Sequence, residues 1–401
     1  MSNTLATSSL ITKDSLRILT NLLGFSKAVN REVQDEFGTQ KGGNYSSGAT
    51  INIRKPPRYT IRTGATLSAQ GTTEPTIPIT LAQAGVDIQF TSAELTHSLT
   101  QLQPKLTAAM ATIANQIDLD GLTNAKNTVG NCVGTAGTPP STAAAVLSVQ
   151  QKLDEMGAPR DSQRNLILAP NANAALIGGL SGLFNSQSVL DKQYKGGLMV
   201  DSLGLSIAMD QNVVTHTNGT QPVAGGTVNG ASQTGSTINV NTASITGTIP
   251  KGSVITFANV FAVNPQSRVS TGSLMQFVVT ADVAAAATSI NISPALTPSG
   301  QFQNVTASPA NTATVTVFGT ASAAYTTNMG FHKDAFALAC VPMFLPPSGR
   351  GVVAAEQESY EGMSLRMIQF YDGTNDRFVS RFDVLYGWAT PYPELAVKLA
   401  G

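Results

Sequence analysis

"IRKPPRYTIRTGATLSAQGTTEPTIPITL", residues 53–81, alternates apolar and polar positions as strands do, yet nothing adjacent in sequence covers its apolar side. Tyr59 and Ile61 mark one limb, and Ile77, Ile79 and Leu81 the other. Arg54, Lys55, Arg58 and Arg62 crowd the first limb, while Pro56, Pro57, Pro75 and Pro78 punctuate both. The middle, Gly64 to Thr73, is small and polar. Proline donates no ladder hydrogen bond, so Pro78 restricts its strand to a sheet edge. The stretch reads as an extended hairpin whose apolar edge is left for something else to finish. Its basic cluster, with Tyr59 as the sole interleaved aromatic, fits an acidic protein neighbour at least as well as nucleic acid.

Upstream, residues 12–37 read as helix, with Thr12 as N-cap. Leu16, Leu19 and Leu23 form one stripe, and Val29, Val33 and Phe37 a second beyond Gly24. Downstream, Val86, Ile88 and Phe90 alternate with Asp87, Gln89 and Thr91 as a strand. Thr91 and Glu94 then make a capping box, and Pro104 sits where a first helical turn accepts it. Leu106, Met110, Ile113 and Ile117 follow at helical spacing, extending to Leu122, with Thr107, Thr112, Asn115 and Asp118 opposite. That is a helix of about five turns. A second amphipathic helix runs from Ser141 through Val146, Val149, Leu153 and Met156 to Gly157. "NLILAP" (165–170) and "LGLSIAMD" (203–210) read as short buried strands.

Near Thr217 the composition changes. From there to Asn328 only Lys251, Arg268 and Asp282 are charged, out of 24 basic and 24 acidic residues in the whole chain. Short alternating runs recur there: Ile238 and Val240, Val254 to Val263, Leu274 to Val279, Ile290 and Ile292, Val315 and Val317. Thr, Ser and Asn fill the outward positions, and Gly or Pro marks the turns, as in a small antiparallel barrel or sandwich. Residues 219–328 therefore read as a β domain inserted into a body built from both flanks.

The chain has 401 residues, 42% of them apolar and only 12% charged, with a formal net charge of zero. The charged share is about half that of ordinary globular chains. Zero net charge removes the repulsion between copies and gives the whole molecule no attraction to nucleic acid. Cys132 and Cys340, far apart and outside any CxxC, read as small buried hydrophobes in a reducing compartment. The N-terminus lacks the layout of a signal peptide, so the expectation is a product that stays in the cytoplasm at first.

Chemistry is sparse. His97, His216 and His332 lie apart from one another and from the cysteines, and each reads as a surface or satisfied core residue. There is no nucleophile elbow, phosphate-binding lysine loop or dinucleotide fingerprint. "YDGTND" (371–376) has carboxylates near calcium-loop spacing, but it lacks the sixth-position Gly and distal Glu, so a hairpin turn at Asp372-Gly373 explains it better. Glu356 and Glu358 share one face of a strand, as a solvated face or one half of an intersubunit ion pair. No catalytic, cofactor-binding or metal site is expected. An uncovered hairpin, neutral charge and a separable β domain suit a protein whose product is a surface built with its own copies. An extracellular adhesin or surface-layer subunit is the alternative, suggested by the Thr/Ser/Asn-rich β window.

Three stretches carry a resemblance. "INIRKPPRYTIRTGATLSAQGTTEPTIPITLAQAGVDIQFTSAEL" (51–95) is similar to the extended loop, and its return into the spine helix, of tailed-bacteriophage major capsid proteins. "KGSVITFANVFAVNPQSRVSTGSLMQFVVTADV" (251–283) resembles the core of the β domain inserted in one type of those coats, and "YDGTNDRFVSRFDVLYGWATPYPELAVKLAG" (371–401) their C-terminal strands. The resemblance implies an α+β shell fold: extended arm hairpin, long spine helix, mixed central domain and an inserted all-β barrel-like domain. Its parts would be N-terminal arm and helices (1–45), extended hairpin (46–90), spine helix and α/β body (91–218), inserted domain (219–328) and C-terminal return (329–401). It implies self-assembly into hexamers and pentamers of an icosahedral shell around double-stranded DNA, without sequence-specific binding and without a membrane. The arm would lie across a neighbouring subunit, with Arg54, Lys55, Arg58, Tyr59, Ile61, Arg62, Ile77 and Ile79 as contact residues. A separate scaffolding protein and a portal are the further partners expected, with assembly in the host cytoplasm and the virion as destination. Some related shells cross-link through an arm lysine; Lys55 lies against two prolines, no matching Asn is identifiable, and no cross-link is expected.

Overall fold

The computed structural model describes residues 8–31, 50–91 (except 56, 62, 63, 66 and 68), 102–180, 203–347 and 352–401. Along the chain run α1 (Ser8–Leu22), β1 (Thr50–Arg54), β2 (Thr76–Thr80), β3 (Ala82–Thr91) and α2 (Leu102–Thr128). Then come β4 (Cys132–Gly134), α3 (Ala143–Glu155), β5 (Arg164–Leu168), α4 (Pro170–Leu180), β6 (Ser206–Met209) and β7 (Thr215–Thr217). Next are β8 (Gly226–Thr227), β9 (Gly235–Asn239), β10 (Val254–Val263), β11 (Ser270–Val279), β12 (Ser289–Leu296) and β13 (Thr314–Val317). The last are β14 (Ala324–His332), β15 (Ala337–Val341), β16 (Val352–Tyr360), β17 (Met363–Asp372), β18 (Arg377–Ala389) and β19 (Ala396–Ala400). This is a mixed α+β fold. Among the described residues no helix is long and apolar enough to cross a membrane.

The chain forms two compact units. The first comprises Met1–Ile53, Thr76–Gly121 and Ala337–Ala389. Its sheet runs β15-β18-β17-β16, with β3 pairing along β18 from Thr91↔Arg377 to Ala82↔Tyr386. The β17–β18 turn carries Asp372-Gly373, as the hairpin reading expects. There the Asp372 carboxylate accepts from the amide of Thr374 (3.1 Å), Asn375 Nδ2 (2.8 Å) and Arg377 Nε (2.8 Å). Glu358 of β16 finds its ion-pair partner inside the chain, Lys13 of α1, at 3.6 Å.

Two helix readings change here. Thr12 is not an N-cap: it lies within α1, fully buried, with its hydroxyl 3.8 Å from Met367 Sδ. The helix stops at Leu22 because the next amides have another acceptor: the carboxylate of Asp118, on α2, accepts from Gly24 N (2.7 Å), Ser26 N (2.8 Å) and the Ser26 hydroxyl. Asp118 is consequently only 2% exposed, although helical periodicity sets it on the polar face. A buried carboxylate is tolerated when backbone donors surround it. Met110, Ile113 and Ile117 of α2 are buried as expected. Val33, Phe37, Glu94 and His97 lie outside the described residues.

The second unit comprises Arg54–Pro75, Leu122–Phe336 and Thr390–Gly401. Its central sheet runs β4-β19-β14-β5-β6, with β7 on the first residues of β14. Val146, Val149 and Leu153 of α3 pack with Leu166, Leu168, Val397 and Leu399 of this sheet. Cys132 and Cys340 are free and buried, one in each unit, and burial pushes both thiols up to about 12.

Between β7 and β14 the chain makes a second sheet, β8-β13-β10-β11-β12-β9. Its ends meet: Val228 bridges Val240, Asn229 N donates to Asn239 O (3.0 Å) and Asn241 N to Thr227 O (2.8 Å). Hydrogen bonding therefore continues round the whole set, which removes the exposed edges. Ile238, Ile255, Phe257, Phe277, Ile290, Ile292 and Val315 fill the interior, as alternation requires. At the neck the outgoing and returning strands hold each other, with Asn218 N to Ala323 O (2.9 Å) and Ser322 N to Gly219 O (2.9 Å).

Candidate intersubunit surface

The hairpin of residues 53–81 divides into a paired base and a long loop. At the base β1 pairs with β2 alone, which suits Pro78. Ile53, Ile77 and Leu81 pack around Ile79, which is 0% exposed and touches Ala339 and Ala389. Close approach is possible because residue 387 of β18 is glycine: a Cβ there would lie 2.5 Å from Thr80 O and 2.7 Å from Ile79 Cγ2. The expectation that Ile77 and Ile79 form an uncovered edge is therefore wrong. Their cover comes from strands some 260 and more positions later in the sequence, which a local reading cannot see.

The loop behaves differently. Its two limbs are stapled across by side chains: Gln70 accepts from Thr60 N (2.7 Å) and donates to Thr60 O (2.6 Å), while the Tyr59 hydroxyl meets that of Thr72 at 3.1 Å. Two of the basic residues are used within the chain. Arg58 pairs with Glu394 at 2.7 Å, and the Lys55 ammonium lies 5.3 Å from the centre of the Tyr392 ring. Burial lowers the Lys55 pKa from the ordinary lysine value; Glu394 opposes that shift and Arg58 adds to it. The acidic neighbour sought by this cluster thus includes Glu394 of the same polypeptide. Arg62 lies outside the described residues, as does the Arg54 side chain.

What the chain leaves uncovered is apolar. Tyr59 is 56% exposed, Ile61 90% and Leu67 85%. The sequence reading passed over Leu67; its signal is that it stands as the lone large apolar residue between Gly64 and Thr73. Phe344, 80% exposed within "PMFLPP" (342–347), was missed likewise. Isolated apolar side chains are normal on a surface; here three stand on one cross-stapled loop.

No comparable arrangement suggests chemistry. Among the described residues no group of three His, Cys, Asp or Glu side chains could hold a metal ion. His216 is buried with Nε2 3.1 Å from the Ser253 hydroxyl, and burial, reinforced by Lys398 and Lys126, lowers its pKa to about 4. His332 is buried too; its Nδ1 accepts from Asp334 N (3.3 Å), so Nε2 donates to Asp161 (3.0 Å). That hydrogen bond keeps the Asp161 carboxyl below the usual range. Both are satisfied histidines.

The chain matches the family model described as "P22 coat protein - gene protein 5" over residues 66–401. No curated protein matches it. Among solved structures, one titled "Mycobacterium phage Che8" is similar at 11% identity and a TM-score of 0.50, covering 94% of this chain and 90% of that one. A "bacteriophage PhiM1 mature capsid" is similar at 10% identity and a TM-score of 0.39, over 88% and 82%. A "native GTA particle" capsid stands at 8% identity and 0.42, over 88% and 84%. At such identities the first of these speaks for the fold alone.

Proposed function

We propose a mode of assembly for this chain, which belongs to the P22 coat protein family and is a major capsid protein, a subunit that self-assembles into an icosahedral virion shell. In our reading the loop of residues 54–75 is the arm by which one subunit engages the next. The supporting observation is the exposure of Tyr59, Ile61 and Leu67 on a loop where Arg58, Thr60 and Gln70 already find partners within the chain. Burying an Ile or Leu side chain stabilises by about 1.5–3 kcal/mol, so each arm contributes modestly. Repetition compensates. Head-to-tail contacts of one surface with a different surface close into rings, here hexamers and pentamers, and a subunit held on several sides is effectively locked.

The role is structural, and the remaining partners are those that membership of a coat-protein family implies. A chain of zero net charge packages DNA without sequence-specific binding and without strong adhesion to the wall. We propose a separate scaffolding protein and a portal as partners, assembly in the host cytoplasm, and residues 219–328 as a semi-autonomous folding unit. Deleting 62–76 tests the arm: the subunit should stay soluble and folded, and electron microscopy should find no shells. Normal shells from the deletion variant would overturn the assignment.

A further inference from the structure

The polar turns at one end of the β8–β13 sheet hold the arm loop of their own chain. The β10–β11 turn is organised by Asn264, whose Oδ1 accepts from the amides of Gln266 (2.8 Å) and Ser267 (3.1 Å), while Arg268 N closes onto Asn264 O (2.8 Å). Arg268 stands at φ +58, a left-handed conformation uncommon for a side-chain-bearing residue. The stretch after β12 is organised by Asn304 in the same manner: its Oδ1 accepts from Thr297 N (2.9 Å) and its Nδ2 donates to Ala295 O (2.7 Å). The two turns are neighbours, since Val263 N donates to Asn304 O (3.2 Å) and Ala262 bridges Val305.

Each turn projects one donor onto the loop. Arg268 donates to Tyr59 O at 3.0 Å, and Gln301 Nε2 to Gly71 O at 3.0 Å. The acceptors are main-chain carbonyls on opposite limbs of the stapled loop, so the turns recognise its backbone shape and leave Tyr59, Ile61 and Leu67 facing outward. Arg268 is one of just two cations between Thr217 and Asn328, and the residue is half-buried although it sits at a hairpin tip. Donors fixed on rigid turns lose little freedom when they bind.

We infer that these turns are a docking seat for residues 58–72 of the same chain, which presents the arm of the free subunit and is left when a neighbouring copy takes up its apolar side chains. This rests on the reading of 54–75 as the arm. The test is hydrogen exchange on unassembled full-length subunits carrying Arg268→Asn and Gln301→Ala together. Asn tolerates the positive φ at 268, and retained exchange protection of the β10 and β11 amides certifies the fold. Exchange across 58–72 should accelerate about tenfold, the effect of losing two ordinary hydrogen bonds, with faster tryptic cleavage after Arg58 and Arg62. Gln301→Ala alone, which leaves the strained turn untouched, should give a smaller change in the same direction. Exchange and cleavage equal to the parent in both variants would overturn the seat, whether or not shells form. Electron microscopy of the parent separates the two readings: absence of shells there would break the arm assignment while the exchange result still judged the seat.

Discussion

Apart from its charged residues Arg54, Lys55, Arg58, Arg62 and Glu74, the loop of residues 54–75 is written, like the closed sheet between Gly226 and Val317, in Thr, Ser, Gly, Pro and scattered aliphatics. In the sheet those aliphatics are buried: Ile238, Ile255, Ile290 and Ile292 meet in one interior. In the loop Ile61 and Leu67 point to solvent. The presence of aliphatics does not make the difference; the number of strands does. Six strands whose ends pair enclose a volume, whereas two limbs have no second layer to cover them. Burial of an alternating pattern is thus a property of the set of strands, and a lone hairpin leaves part of its pattern uncovered.

That contrast can be broken at several strengths. Excision is the strongest: expressed alone, 219–328 should show a cooperative melt, and a peptide of 54–75 none; a fragment without amide protection would contradict the first half. Within the intact chain, Phe257→Ala removes a fully buried ring and should cost about 3–5 kcal/mol in chemical denaturation. Acid is the third probe. His216 at the neck has its pKa lowered to about 4, so the unfolded chain binds its proton first. Stability from this group is complete above pH 6.5 and declines as pH falls towards 4, by at most about 1.4 kcal/mol per pH unit. A His216→Asn variant should show a flatter dependence of Tm on pH across that window. The smallest effect on the subunit belongs to Ile61→Asp, expected to change stability by less than about 0.5 kcal/mol because the side chain touches little. Its assembly, followed by light scattering, should nonetheless fail at concentrations where the parent forms shells.

Local patterns carried much of this architecture. The three- and four-residue spacing through Met110, Ile113 and Ile117 marks α2, and alternation marks β10 to β13. β8, two residues long, left no pattern to read. The readings that changed depended on partners far away in sequence. Asp118 is buried by amides 92 and 94 positions earlier, Ile79 by β15 and β18, and Arg58 is answered by Glu394, 336 positions on. Periodicity reports which face of an element is apolar; it does not report which polar residue a distant backbone will enlist. The exposed apolar residues of the loop were half legible: Tyr59 and Ile61 stand in a strand-like run, while Leu67 sits in a stretch with no period at all.

The neck, where Asn218 and Gly219 grip Ser322 and Ala323, has an evolutionary consequence. A stretch of a hundred residues departs and returns there through one adjoining pair of strands, and it is tied to the sheet beneath at two further points: Gln276 bonds both backbone groups of Cys132 (2.8 Å each), and Lys398 Nζ donates to Gly252 O (3.0 Å). Variation in length among lineages is accordingly expected to concentrate in the turns remote from Gly252 and Gln276, where a graft leaves those ties in place.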